Sequence, residues 1–349
     1  MEGLGLNADF WSGRRVLLTG HTGFKGSWLA LWLTEIGAEV VGFSNGVPTT
    51  PSLYEVADVR ARVTPLIGDV RDGDALRRAV REHAPEVVFH LAAQPLVRAS
   101  YADPVTTYET NVLGTVNVLE AARDARVVVN VTTDKVYAND ERDVPFREDD
   151  PLGGKDPYSS SKACSELVSA AYRESFGVHV ATARAGNVIG GGDWAEDRLV
   201  PDLLAAALAR EPVVIRNPES VRPWQHVLNV CDGYLLLAEH VYEDTSFADA
   251  WNFGPDEDDA RPVRWIVDRL ASLWGEEIRI ESPADPQPAE ARFLRLDSSR
   301  ARDRLGWSPR WDLDRALQSI VEWTRAYAAG DDMQHATLAQ IRAFSAVAV

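Results

Sequence analysis

An α/β fold built on a doubly wound parallel sheet is predicted by three observations. Apolar, β-branched runs alternate with helix-period segments through the first half of the chain. Those runs lack polar alternation, as expected of strands covered on both faces. A glycine-rich turn joins the first run to the first helical segment. Strand–helix–strand units with right-handed crossovers leave little freedom beyond a sheet with helices on each side.

Each element follows from its own pattern. "RVLLTG" (15–20) reads as the first strand. "FKGSWLALWLTEIG" (24–37) reads as a helix, with Trp28, Leu29, Leu31, Trp32 and Leu33 crowding one side and Gly37 near its end. Further strands are expected over 38–44, 63–70, 86–93, 126–133 and 178–190. Helices are expected over 71–84, 102–125 and 158–177, the second of them long. After about Gly190 the texture changes. "GGGDW" and "NPESVRPWQ" are loop-like, and strands become short: "PVVIRN", "WQHVLNV", "WNFGP" and "EIRIES". Helical patterns return over 197–209, 227–243, 261–275 and from Asp312. The expected organisation is a Rossmann-type domain over 1–186 and a smaller C-terminal α/β substrate lobe over 187–349. The apolar 225–250 segment is expected to return to the first domain.

Composition narrows the function classes. The chain has 349 residues, 45% of them hydrophobic, enough to bury a large core. Its formal charge of −17 argues against a nucleic-acid scaffold, which needs a basic surface. Cys164 and Cys231 have neither metal nor redox spacing and fit a reducing compartment. The N-terminus has no basic n-region with an apolar core, and no stretch approaches a membrane span. A soluble cytoplasmic protein without metal is expected.

The turn "TGHTGFKG" carries Gly20, Gly23 and Gly26 at intervals of three. The first glycine permits the tight turn, the second lets backbone approach phosphate oxygens, and the third lets helix and strand pack closely. The helix N-terminus then offers unpaired N–H groups to a pyrophosphate. A dinucleotide site is expected over Gly20, His21, Thr22, Gly23, Phe24, Lys25 and Gly26. Lys25 reads either as a phosphate ligand or as a solvated charge, and His21 stays open. The second strand ends in Ser44 and Asn45, with no carboxylate for a ribose and no nearby arginine for a 2′-phosphate. Asp69 and Val70 after the third strand are candidates for the adenine end, although Asp69 reads equally as a helix N-cap. Leu91, Ala92 and Ala93 after the fourth strand leave room for a nucleotide.

"DPYSSSKACSELV" places Tyr158 and Lys162 four residues apart, on one helix face. An ammonium beside a phenol favours phenolate, so Tyr158 is expected to be acidified and to take a proton from a substrate hydroxyl. Thr133, Asp134 and Lys135 end the fifth strand, where ligands sit in such sheets. Alcohol oxidation needs Thr133 and the Tyr/Lys pair. An added acid and base suggest a second proton transfer, such as an elimination.

Taken together, "TGHTGFKGSWL", "TTDKVY", "DPYSSSKACSELV", "ARAGNVIGGGDWAEDRLVPD" and "RPWQHV" resemble the nucleotide-sugar 4,6-dehydratases of the extended short-chain dehydrogenase/reductase superfamily. The branch resembled is the one that acts on a cytidine diphosphate sugar, where Lys135 replaces the glutamate of the thymidine diphosphate branch. The resemblance implies NAD as cofactor and CDP-glucose as substrate. It implies oxidation at C4 by Tyr158, Lys162 and Thr133, loss of water across C5 and C6 with Asp134 as acid, and return of hydride to C6. It further implies that Asn187 contacts sugar or phosphate, and that a homodimer forms through the helices from Ala102 and Tyr158. Arg198, with Leu199 beside it, and Arg222 are cationic candidates for the nucleotide diphosphate; Arg198 reads otherwise as a helix-surface charge, and Arg222 as stacked on Trp224. Asn252 is a candidate support of the substrate loop or a turn asparagine, and Arg292 a candidate to approach the nucleotide. Rival readings are a nucleotide-sugar 4-epimerase or dehydrogenase, which need no Asp134–Lys135, and a noncatalytic dinucleotide sensor.

Overall fold

The computed structural model describes residues 6–140, 144–215, 217–275, 278–281 and 294–347. After the short helix α1 (Ala8–Trp11), strand β1 (Arg15–Thr19) leads through the glycine turn into α2 (Phe24–Glu35). Next come β2 (Glu39–Ser44), α3 (Leu53–Val56), β3 (Thr64–Ile67), α4 (Gly73–His83) and β4 (Val87–His90). Helices α5 (Val97–Ala102), α6 (Pro104–Tyr108) and α7 (Gly114–Ala121) lead to β5 (Val127–Val131). Helix α8 (Pro157–Phe176) leads to β6 (Val180–Arg184).

The main sheet contains seven strands, all paired in parallel, in the order Ala250–Asn252, β6, β5, β4, β1, β2, β3. The seventh strand comes from the "WNFGP" segment of the C-terminal half. Residues alternate between two cores. Val16, Leu18, Val87, Phe89, Val127 and Val129 face one, and Leu17, Val88, Val128 and Val180 face the other. The period of two in side-chain direction makes both faces apolar, so the strands read as continuous runs.

The strand expected over 178–190 ends at Arg184, and Val188–Ile189 forms a separate short strand. Two helical segments also differ from the sequence expectation for physical reasons. Helix α2 is not apolar on one side only. Residues Gly26–Leu33 are all buried, because α2 lies between the sheet and two further helices from the C-terminal half. The long helix expected over 102–125 is interrupted. Asp103, with φ −138°, breaks it, accepts the Thr106 N–H and caps α6, with Pro104 in the first turn. A π-turn over Glu109–Leu113 then joins α6 to α7. Helix α8 starts where its cap dictates: Asp156 accepts the Ser159 N–H at 2.9 Å, Pro157 takes the first position, and Gly177 closes the C-terminus in the left-handed region.

The C-terminal half adds α9 (Leu199–Ala209), α10 (Val227–Glu243), α11 (Val263–Trp274), α12 (Ser299–Leu305), α13 (Leu313–Ala329) and α14 (Met333–Ser345). Helix α10 packs on α2, β5 and β6, and α14 packs on α2. Of "WQHVLNV", only Gln225–His226 is a strand, paired with Val188–Ile189, and Val227 opens α10. Val213–Val214 pairs with Ile280–Glu281, and Val221–Pro223 with Ala260–Pro262. A separate core of Leu203, Ile266, Leu270, Leu317 and Ile320 packs α9, α11 and α13 together.

Candidate active site

The strand order reverses between β1 and β4, and the glycine turn stands at that switch point. Gly20 has φ +76°, and a Cβ there would lie 2.7 Å from the Ala92 nitrogen. A Cβ on Gly26 would fall on the Gly20 carbonyl. The cradle therefore tolerates no side chain at either place. Gly23 caps α2 without any side-chain bond, which leaves the helix amides open to an anion. Thr22 Oγ1 donates to the Gly46 carbonyl at 2.6 Å, and Phe24 abuts Gly190. Leu91 and Ala92 lie against Thr19, whose carbonyl and Oγ1 accept their N–H groups, and Ala93 follows them in the same loop. The donor set and the missing Cβ atoms fit a dinucleotide pyrophosphate.

His21 resolves into a wall of the turn. Its Nδ1 lies 2.9 Å from Ser44 Oγ, and its ring fills the space that a side chain at Gly42 would occupy. Burial lowers its pKa to about 4, so it is a neutral imidazole. At the far end, Asp69 accepts from Asn45 and, through both oxygens, from Arg71. The bonds from Arg71 hold the Asp69 carboxyl down at about 2. Sequence spacing placed no arginine near Ser44; the fold brings Arg71 there, already paired with Asp69 and Glu109. The N-cap alternative for Asp69 falls to Asp72, which caps α4. Val70 is buried against Gly114.

The chemical centre lies where β5 ends. Asp134 is fully buried. Its Oδ1 accepts from Thr133 Oγ1 at 2.9 Å and lies 4.0 Å from Lys135 Nζ. Its Oδ2 is buried without a partner, in space that exists because residue 186 is glycine: a Cβ there would fall on that oxygen. Lys135 is half-exposed beside it. Tyr158 stands against Thr133 at the start of α8, its backbone N–H donating to Ser100 Oγ at 3.2 Å. One turn on, Lys162 Nζ donates to the Val131 carbonyl at 3.0 Å. A buried ion pair fixes this register. Glu166, a further turn along α8, accepts from Thr132, Thr182 and Arg184, tying α8 to β5 and β6.

The electrostatics correct one expectation. Burial dominates at Tyr158 and pushes the phenol up to about 12, against the pull of the Thr133 hydroxyl and the Arg198 charge. Burial, reinforced by the charge of Lys25, lowers Lys162 to about 7. The lysine is thus as much perturbed as the tyrosine it was expected to perturb. Lys25 belongs to the same group. Burial and Arg198 lower it to about 8, opposed by Cys231, Asp134 and Asp193. The chain has four lysines, Lys25, Lys135, Lys155 and Lys162, against 36 basic residues in all. Three of the four surround this cleft. Arginine cannot give up its proton and lysine can, so the rarer residue collects where an amine that titrates is useful.

The substrate-side residues fare unequally. Asn187, at φ +46°, has a buried Oδ1 without a partner. Arg198 precedes α9, donates to Asp193 at 3.0 Å, and exerts its charge on both Tyr158 and Lys25. Leu199 opens α9, which has no side-chain cap. Arg222 is buried on the strand Val221–Pro223 and donates to the Val221 carbonyl. Asn252 acts as a support and not as a direct ligand. Its Oδ1 accepts from Tyr137, and its Nδ2 donates to Phe146 and Asp297, so its amide is engaged within the protein. Arg292 lies outside the described residues. Sequence reasoning missed Asp193, Glu166 and Ser100. Asp193 had a signal, a carboxylate directly after three glycines; Glu166 and Ser100 had none.

Residues 17–320 match the family model described as GDP-mannose 4,6 dehydratase. The chain belongs to the GDP-mannose 4,6-dehydratase family. Among relatives of this GDP-mannose 4,6-dehydratase family member, the CDP-glucose 4,6-dehydratase of Salmonella typhimurium is 50% identical over 341 residues, spanning 94% of this chain and 95% of the relative. A dTDP-glucose 4,6-dehydratase from Streptomyces venezuelae, solved with NAD bound, superposes with a TM-score of 0.79 at 26% identity, over 92% of this chain and 99% of that one. The UDP-glucose 4-epimerase of Thermus thermophilus, in complex with NAD, superposes at 0.80 with 28% identity, over 89% of this chain and 99% of that one.

Proposed function

We propose that the protein dehydrates CDP-glucose to CDP-4-keto-6-deoxyglucose with bound NAD. One observation carries this reading: Tyr158 and Lys162 share a cleft with a buried Asp134 whose free oxygen sits beside Thr133 and Lys135. An epimerase or simple dehydrogenase has no use for that second acid–base couple. The substrate choice is supported by the 50% identical Salmonella typhimurium relative.

NAD, held by the glycine turn, supplies the acceptor and then the donor of hydride. Ionised to phenolate, Tyr158 Oη takes the proton of the C4 hydroxyl, and Thr133 Oγ1 steadies that oxygen. Lys162 in its ammonium form favours the phenolate against the effect of burial. The resulting 4-ketone acidifies C5. Asp134 and Lys135, 4.0 Å apart, handle the C5 proton and the C6 hydroxyl between them. Asn187, Arg198, Leu199 and Arg222 hold the nucleotide diphosphate sugar.

The same reading includes a homodimer and a cytoplasmic location. Apolar side chains stand exposed along the helices between Ala102 and Phe176, and just before them: Tyr101 (63%), Val105, Leu113, Leu167 and Phe176 (54%). A self-complementary pairing of these faces would cover them. Two free cysteines fit a reducing compartment, and among the described residues no helix is long and apolar enough to cross a membrane.

The test is product analysis by NMR. Purified protein is given CDP-glucose, dTDP-glucose, UDP-glucose or GDP-mannose, each with and without added NAD. A 6-methyl signal from CDP-glucose is the expected result. An axial C4 epimer, or preference for another nucleotide, would replace the reading.

A further inference from the structure

We propose that Asp193 is a positioning residue that presets Arg198 for the diphosphate of the substrate; the inference rests on the reading that Arg198 binds that group.

The turn carrying Asp193 is clamped on three sides. A side chain at Gly190 would meet Val227 and Phe24, one at Gly191 would fall on the Trp323 ring, and Gly192 has φ +79° with Leu53 at 2.8 Å from a Cβ position. Trp28 Nε1 donates to the Gly191 carbonyl at 2.9 Å. Three successive glycines thus wedge the backbone between α2 and α13, and the residue after them has little freedom.

Both carboxylate oxygens of Asp193 are used. Oδ1 accepts the Ala195 N–H at 3.1 Å, and Oδ2 accepts Arg198 Nη1 at 3.0 Å. The carboxylate side chain is 6% exposed and the guanidinium side chain 34%. One partner is therefore fixed in the protein and the other is open to the cleft. A guanidinium has five donors in a planar fork, so one edge can be held while the opposite edge clamps two phosphate oxygens. The guanidinium lies near the chemistry, since its charge is felt at Tyr158 and at Lys25. The uncapped start of α9 follows directly at Leu199 and adds its amides to the same place.

An arginine without this anchor would have to give up rotamer freedom on binding, and beside Lys25 it would also face an uncompensated like charge. The buried carboxylate settles both beforehand. Its contribution belongs to binding and not to the chemical step.

The test is a double-mutant cycle on NAD-loaded protein, with CDP and CDP-glucose as probes. Calorimetry reads the affinity for CDP, and steady-state assays separate KM from kcat. Arg198→Ala is expected to weaken CDP by about thirty-fold and Asp193→Asn by about ten-fold, with KM raised in both and, for Asp193→Asn, kcat nearly unchanged. Asp193→Asn in the Arg198→Ala background is expected to cost nothing further. Additive losses would make Asp193 an independent structural residue and overturn the proposal. Loss with Arg198→Ala but none with Asp193→Asn would overturn it while leaving Arg198 as the diphosphate ligand. No loss with Arg198→Ala would remove that reading as well. Should Asp193→Asn fail to fold, Arg198→Lys carries the test. Lysine keeps the charge and loses the fork, so CDP affinity should approach that of Arg198→Ala, and wild-type affinity would contradict the proposal.

Discussion

On the cofactor side of the crevice, the turn from Gly20 to Gly26 is made by backbone approaching backbone. On the opposite side, Asp134, Tyr158, Lys162 and Arg198 are held by ion pairs and hydrogen bonds that involve side chains. The first kind of site leaves a mark in the sequence, because only glycine allows the approach. The second shows its reacting side chains but not what holds them, because those partners come from distant segments. The difference also divides the expected behaviour. Changes on the backbone side should abolish dinucleotide binding, while changes on the side-chain side should leave it and remove the chemistry.

The largest effect is expected from Gly26→Ala, whose Cβ would fall on the Gly20 carbonyl. NAD affinity measured by calorimetry should fall at least about a hundred-fold, since close approach to the pyrophosphate is lost. Retained affinity would break the division just drawn. Next come Tyr158→Phe and Gly186→Ala. The first removes the proton acceptor, and the second pushes a Cβ onto Asp134 Oδ2. Each should lower kcat by roughly 10²–10⁴-fold with NAD affinity unchanged.

Glu166→Gln should act on stability. It leaves Arg184 buried beside a neutral amide, a loss of about 3–5 kcal/mol in urea unfolding. The smallest effect concerns pH. In the cofactor-free protein Lys162 is lowered to about 7, so the folded site releases a proton that the unfolded chain keeps. Its stability penalty is full at and below pH 7 and shrinks as pH rises toward the ordinary lysine value. Lys162→Met should therefore raise Tm most at about pH 6–7, and the gain should narrow by a few degrees near about pH 9.

Legibility followed the same line. Strands β1, β2, β4, β5 and β6 were readable because apolar runs covered on both faces show no competing period. The glycine turn and the Tyr158–Lys162 spacing were readable because each is local. The seventh strand, Ala250–Asn252, was harder: its three residues pair with β6 only after the chain has made α10. The break at Asp103 could have been read from Asp-Pro, yet the helical period on both sides masked it. The partners through which Asn252 acts as a support, Tyr137, Phe146 and Asp297, were not legible because they lie far apart in sequence. Burial, which decides the charge states of Tyr158 and Lys162, is a property of the folded cleft and not of the motif.

The central claim is that oxidation, elimination and reduction occur in one cleft on one sugar. It is tested most directly with CDP-glucose carrying deuterium at C4. The account predicts product with deuterium in the 6-methyl group, read by NMR. Deuterium remaining at C4, or lost to solvent with no label at C6, would contradict it.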